Sequence, residues 1–349
     1  MSNRLVQLDA MRGIAVLMVV GYHYTTTYQQ TYSHAGPLPF SVSAGLFGVH
    51  LFFMISGFVI FMTLERTEDY KDFLVSRFAR LYPMYWASVI IGYICLQLFP
   101  LPGKVTTLSV ALVNLSMLQQ WFRKAPDLND SYWTLYVELS FYAIMLGIFT
   151  LRRLNRIMLI ATLWLCAMLL SWALEHFAGL SLLPIIKRSF LFDDANLFFA
   201  GIMFYKLYRS EDTRRATLIL IACLAVEFII HSLKSGMIIS CFFIMFYTVA
   251  TKTRLINLLL ATRPLVYIGT ISYSLYLLHE NIGYILLRAL YAIDLSPAIA
   301  ISITVAVSIT LAACTTLLVE SPARQAIRSY WTKKRPSLNS STLLPKPEA

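Results

Sequence analysis

Three stretches of this chain, 82–99, 157–174 and 297–319, carry no charged residue. Each is at least 18 residues long, enough for a helix to cross the hydrocarbon of a bilayer. In lipid no backbone N–H or C=O can be left unpaired, so spanning segments fold as helices or as a closed barrel. Unbroken runs of this length select helices. Composition agrees: 58% of the 349 residues are hydrophobic and 13% are charged, about half the charged share of a soluble domain. Mean hydropathy is +0.66. The expected fold class is all-α, a polytopic membrane helical bundle.

Crossing helices are expected near 12–30, 45–64, 82–99, 132–151, 157–175, 190–207, 215–231, 235–250, 264–288 and 296–319. A further apolar segment, 105–121, decides the parity. If it crosses, RRLNR at 152–156 falls opposite the basic termini. If it is re-entrant or interfacial, 22 of the 29 Lys and Arg collect on one side and 7 on the other. The positive-inside rule selects the second arrangement, with ten crossings and both termini cytoplasmic. The formal charge of +11 then sits in the connectors, and no nucleic-acid partner is expected. Residues 1–330 read as one membrane domain without an internal repeat, and 331–349 as a basic, disordered cytoplasmic tail. RQAIRSYWTKKR (324–335) is expected to be a juxtamembrane helix against anionic lipid headgroups.

The first apolar run ends in His23, Tyr24 and threonines rather than small residues, so no cleavable signal peptide is expected. Five cysteines without paired spacing, and histidines without an HExxH pattern, predict neither a disulfide framework nor a metal site.

Ionisable groups inside hydrocarbon cost about 2.5–3.5 kcal/mol each on insertion scales, so those present are candidates for function. Arg12 and His23 are eleven residues apart. At roughly 100° per residue they return to one helix face, about 16 Å apart along the axis. The structural alternative for His23 is a ring that only bonds a neighbouring helix. In SRFARLYPMYW (76–86), Arg77 and Arg80 stand at i and i+3, where two guanidinium forks suit phosphate, or where arginines merely anchor the helix. In SYWTLYVELSFY (131–142), Glu138 lies below Trp133, Tyr136 and Tyr142, as a ligand for a polyol hydroxyl, a partner for a cation or a base. GVHLFFMISGF (48–58) brings His50 and Ser56-Gly57; small residues at mid-span more often serve close packing than chemistry. Ser56 lacks a GxSxG context and is not read as a nucleophile. In YSLYLLHEN (273–281), His279 and Glu280 are adjacent and point about 100° apart, so at most one faces a shared cavity. Glu320 in VESP reads as a counter-ion for Arg77 or Arg80. Asp193, Asp194 and Glu227 read as helix-terminal or interfacial.

Taken in order, RLVQLDAMRGIAVLMVVGYH, GVHLFFMISGF, SRFARLYPMYW, YWTLYVELSFY, YSLYLLHE and VESP resemble the acyltransferase-3 family of bacterial membrane O-acyltransferases, from residue 4 to about residue 328. The resemblance implies transfer of an acyl group, acetyl by preference, from cytoplasmic acyl-CoA to a hydroxyl on an extracytoplasmic carbohydrate, lipid-linked or related acceptor. It implies a cytoplasmic (inner) membrane location and maps the family's Arg-x10-His motif onto Arg12 and His23, its RxxR element onto Arg77 and Arg80, and its late acidic residue onto Glu320. Arg12, Arg77, Arg80, Ser56 and Glu320 are then expected at the donor. His23 is expected as general base, with Glu138 and Arg12 at the chemistry, and Trp133, Tyr136, Glu138, His50 and His279 towards the acceptor. Some relatives carry a fused extracytoplasmic domain, which leaves room for a separate partner here.

Two matters stay open in the sequence. The acyl group could pass directly or through a tyrosine or serine carrier. A proton-coupled secondary transporter could also use intramembrane His and Glu, although no pair of broken spans recurs in two halves and the Arg77/Arg80 pair would have no role. A non-catalytic envelope scaffold would not need His23.

Overall fold

The computed structural model describes residues 5–38, 40–121, 126–253 and 261–334, and every regular element among them is helical. The helices are α1 (Val6–Tyr22), α2 (Tyr28–Thr31), α3 (Gly48–Leu64), α4 (Tyr70–Leu98), α5 (Leu108–Asn114), α6 (Trp133–Thr150), α7 (Ile157–Ala178), α8 (Pro184–Ser189), α9 (Ala195–Tyr208), α10 (Thr213–Ile230), α11 (Leu233–Ala250), α12 (Arg263–Thr270), α13 (Ser272–Tyr291), α14 (Pro297–Thr315) and α15 (Ser321–Lys334). Two π-helical turns interrupt this pattern, His23–Thr27 between α1 and α2 and Thr316–Glu320 between α14 and α15. π-turns insert a residue into the i→i−4 ladder and recur at functional sites.

Six helical stretches among the described residues are long and apolar enough to cross a membrane. Each of the ten expected segments contains a helix, but α1 and α9 have only 17 and 14 residues, and α10 and α13 carry charged residues within their length. The segment 264–288 is not one helix. Ile271 leaves helical geometry at φ −100°, ψ 4°, dividing it into α12 and α13. RQAIRSYWTKKR is helical through Lys334 as part of α15, and residues 335–349 lie outside the described residues.

The parity segment contains α5, seven residues long, which rises only about 10 Å. It therefore falls short of a crossing. Its last carbonyls would be orphans in an apolar setting, and three aromatic side chains of α4 supply their partners. The Tyr85 hydroxyl donates to the Asn114 carbonyl at 2.7 Å, the Trp86 indole to Leu115 at 2.9 Å and the Tyr82 hydroxyl to Ser116 at 3.3 Å. The Asn114 amide in turn donates to Val110 and Pro126 and accepts from the Leu128 amide.

Outward faces are apolar: Ile90, Ile94 and Leu98 on α4 and Leu159, Leu163 and Leu170 on α7 are exposed, as a lipid-facing surface requires. Inside, α3 and α9 cross at two glycines. A Cβ on Gly57 would run into the Phe198 carbonyl, and one on Gly201 into the Met54 carbonyl. Absent side chains bring the two backbones together, which is the packing use expected for Ser56-Gly57. On the other flank Gly269 of α12 lies against the Asp9 backbone of α1. Gly57→Leu should overpack this crossing by about 1–3 kcal/mol or more. The expected result is a lower melting temperature in detergent, while Gly147→Leu, at a position facing open space, melts with the unaltered protein.

Candidate active site

Five helices, α1, α3, α4, α6 and α13, line one cavity of about 80 Å³. Arg12 enters from α1, Ser56 from α3, Arg77 and Arg80 from α4, and Glu138 and Tyr142 from α6. The i, i+3 spacing puts Arg77 and Arg80 on one face of α4. Each cation is held differently. Arg12 pairs with Asp9, one turn earlier, at 3.0 Å. The Arg77 guanidinium lies over the rings of Phe73 and Tyr142, at 5.7 and 5.8 Å from their centroids, and donates to Ser76 Oγ at 3.1 Å. Its buried Nε has no hydrogen-bond partner among the described residues. Glu138 and Glu320 both lie within electrostatic reach of Arg80.

Glu138 accepts from the Ser56 hydroxyl at 3.3 Å and from the Tyr142 hydroxyl of its own helix. Glu320, at the end of the second π-turn, accepts from Ser274 Oγ at 2.9 Å and faces Arg324 at 3.9 Å. Asp9 and Glu320 sit beside Arg12 and Arg80, so Arg77, held by two rings and a hydroxyl, is the cavity cation whose charge is least offset. It can hold an anion with hydrogen bonds to spare, phosphate above all. A neighbouring recess shares Arg77 and adds Arg66 and Arg328, with Trp331 of α15 donating to Asp72 at 2.8 Å across it.

At its other end the cavity is walled by Thr134 and Tyr276. The Tyr276 hydroxyl bonds Thr134 Oγ1 at 2.7 Å and donates to the Ser131 carbonyl at 2.9 Å, and the Tyr276 carbonyl lies 2.8 Å from His279 Nδ1. His279 is the partner of His23: the rings stack with centroids 4.8 Å apart, and His23 Nδ1 meets His279 Nε2 at 2.6 Å. His23 stands where α1 gives way to its π-turn. The Tyr24 hydroxyl, buried just after it, donates to the His279 carbonyl at 2.6 Å and bonds Ser308 Oγ at 2.7 Å. It ties α1, α13 and α14 together around the histidines.

Glu280, adjacent to His279, turns the other way. Its Oε2 accepts from the Ser131 amide at 2.9 Å and hydroxyl at 2.6 Å, and its Oε1 lies 4.0 Å from Lys104, which also pairs with Asp130 at 2.7 Å. Asn281 donates to the Leu128 carbonyl at 2.7 Å and Asn129 to the Leu277 carbonyl at 3.2 Å, fastening the 128–131 segment to α13.

The structure thus gathers Arg12, Arg77, Arg80, Ser56 and Glu138 in one cavity, sets Glu320 beside Arg80, and joins His23 to His279. Glu138 sits with the arginines rather than with His23. The other expected acceptor residues lie apart. Trp133 is 37% exposed, meets Phe53 edge-on and lines a separate recess with Asp130, Lys187 and Arg188. The Tyr136 hydroxyl bonds Ser189 Oγ at 2.8 Å. His50 packs on Phe47 within electrostatic reach of Glu227, its buried Nδ1 without a hydrogen-bond partner among the described residues. Glu227 is fully buried, accepting from Asn196 at 2.8 Å and from Ser235. Tyr24, Ser131, Thr134 and Tyr276 escaped the sequence analysis because hydroxyl residues in apolar runs are commonplace. The adjacency of His23 and Tyr24 at the end of the first run was the one signal for Tyr24.

Comparison with known proteins gives partial matches to curated relatives. The chain is 29% identical over 161 residues to the exopolysaccharide production protein ExoZ of Rhizobium meliloti, covering 43% of this chain and 44% of that protein. It is 28% identical over 151 residues to the O-acetyl transferase of Shigella phage Sf6, 39% of this chain and 43% of that one. It is 27% identical over 154 residues to YrhL of Bacillus subtilis, named as a candidate peptidoglycan O-acetyltransferase, 39% of this chain and 22% of that one. The chain spans less than half the length of these relatives. No solved structure matches it. The family comparison reaches much further: the acyltransferase-3 profile, described as an acyltransferase domain, matches residues 5–319, and this chain is a member of that family.

Proposed function

We propose that the protein is a multi-pass O-acyltransferase of a bacterial cytoplasmic membrane, moving an acetyl group from acyl-CoA to a hydroxyl of an extracytoplasmic carbohydrate or lipid-linked acceptor. The observation that carries this reading is the gathering of Arg12, Arg77 and Arg80 on one cavity whose far wall, Tyr276, is hydrogen-bonded to the His23–His279 pair. The names of the relatives, O-acetyl transferase and exopolysaccharide production protein among them, favour acetyl as the group and a saccharide as the acceptor. Both termini and the basic connectors lie on the cytoplasmic side in this reading, and a separate extracytoplasmic partner can complete delivery.

The donor enters from the arginine side. Its phosphates neutralise Arg77 and Arg80, with the unpartnered Arg77 Nε as one donor, and Arg66 and Arg328 in the adjoining recess meet the nucleotide portion. Glu138 and Glu320 hold the guanidinium groups in place when the donor is absent. The pantetheine arm follows the cavity towards Thr134 and Tyr276. An alcohol attacks a thioester slowly until its proton is removed. His23 takes the acceptor's hydroxyl proton, the oxygen attacks the thioester carbon, and the C–S bond breaks. The departing thiolate of CoA takes up the proton from His23. Ester and free CoA are the products, and no residue is left acylated.

Membranes holding the protein and its native acceptor, given acetyl-labelled acetyl-CoA, should place label in a carbohydrate or lipid fraction, and His23→Ala should lower that rate by about a hundredfold or more. Transfer at the same rate by His23→Ala would remove the base, and no transfer by either protein would favour transport. Arg77→Ala and Arg80→Ala should each raise the KM for acetyl-CoA about tenfold or more, the scale of a lost charge-assisted hydrogen bond. The KM for the acceptor should not follow.

A further inference from the structure

We infer that His279 is the positioning residue of His23: it fixes the tautomer in which His23 Nε2 is the bare nitrogen turned to the acceptor hydroxyl. The inference deepens the acyltransferase reading and rests on it for the role of His23. The assignment of protons follows from two contacts. His279 Nδ1 lies 2.8 Å from the Tyr276 carbonyl and 3.2 Å from the Leu275 carbonyl. A carbonyl oxygen only accepts, so Nδ1 must carry the hydrogen. Turning the ring over would put carbon at both hydrogen-bonding positions and lose these contacts. A neutral His279 therefore has an unprotonated Nε2, and this is the atom 2.6 Å from His23 Nδ1. The hydrogen in that short contact belongs to His23 Nδ1. A neutral imidazole carries one N–H, so His23 Nε2 is left with a free lone pair.

A doubly protonated His279 would reverse the arrangement, but it would place a charge on a ring with 0% exposure. The nearest carboxylate in sequence, Glu280, is committed to Ser131. Burying a charge without a partner is costly. The chain Tyr276 carbonyl, His279, His23 thus does for this base what a carboxylate does in the Ser-His-Asp arrangement, holding one tautomer and one ring orientation. During the reaction the acceptor's proton moves to His23 Nε2 while His23 Nδ1 keeps its own. His279 stays neutral and accepts a hydrogen bond from the transient imidazolium. When the thiolate takes the Nε2 proton, the pair returns to its starting state. Tyr24 supports the device from behind by donating to the His279 carbonyl, which fixes the turn of α13 that carries the ring.

Two measurements on the full chain in membranes or nanodiscs test this. In the first, acetyl transfer from labelled acetyl-CoA into the envelope fraction is compared among His279→Leu, His279→Gln and His23→Ala. His279→Leu removes the acceptor atom and should lower the maximal rate by about a hundredfold or more, with the KM for acetyl-CoA unchanged. His279→Gln returns an acceptor oxygen near the ε position and should recover at least a tenth of the lost rate, which a merely structural ring would not do. Full activity of His279→Leu beside an inactive His23→Ala overturns the inference and leaves the base standing, whereas full activity of His23→Ala removes the base itself. In the second, nitrogen-15 NMR of histidine-labelled protein, assigned with the His23→Ala sample, reads the tautomer without turnover and does not depend on the folding of the His279 variants. Protonated Nδ1 and bare Nε2 on His23 are expected; a proton on His23 Nε2 overturns the proposal.

Discussion

Inside an apolar bundle a polar group must find its partner in the protein, because no water waits there to take its place. That requirement shapes α13 more than any other element. Three consecutive polar residues, His279, Glu280 and Asn281, are almost wholly buried in it, and each is received by a different neighbour. His23 takes the first, Ser131 the second and the Leu128 carbonyl the third. Because the three side chains fan out by about 100° steps, they fasten α13 to the end of α1 on one side and to the entry of α6 on the other. The catalytic reading depends on this fastening, since the histidines meet only if both neighbours are in place.

Close backbone approach supplies the second condition. The glycine crossing of α3 and α9 seats Ser56 at the edge of a tightly packed pair, from which its hydroxyl reaches Glu138. The approach of Gly269 to the Asp9 backbone sets α1 deep enough for Arg12 to join Arg77 and Arg80. Helices in lipid gain little from apolar burial against one another, so contacts of this kind, together with interhelical hydrogen bonds, carry the association. The arginine cavity is the space left where α1, α3, α4, α6 and α13 meet under those constraints.

Much of this was legible in the chain itself. Long uncharged runs announced helices, and within 105–121, set apart by the asymmetry of Lys and Arg, the structure forms the seven-residue α5, too short by itself to cross. The i, i+3 spacing of Arg77 and Arg80 placed both on one face, and both line the cavity. Adjacent His279 and Glu280 had to part company, and they do. Other features were hidden. The break at Ile271 carries no proline or glycine at the point of interruption. The burial of Glu227 could not be told from an interfacial carboxylate, because its partners Asn196 and Ser235 come from two other helices. Trp133, Tyr136 and His50 looked like one acceptor surface because they share a membrane depth, but they project from α6 and α3 in different directions.

What the sequence by itself determined was the helical character of the long apolar runs and the helix face on which an ionisable group stands, because hydrophobic run length and helical periodicity are local properties. It could say that Arg12 and His23 share a face about 16 Å apart on one helix. It could not say that His23 would lean on His279, 256 positions later, or that Glu138 would sit among arginines. Those pairings depend on which helices become neighbours and how they are rotated, which glycine crossings, π-turns and the matching of buried donors to acceptors decide only once the whole bundle is packed.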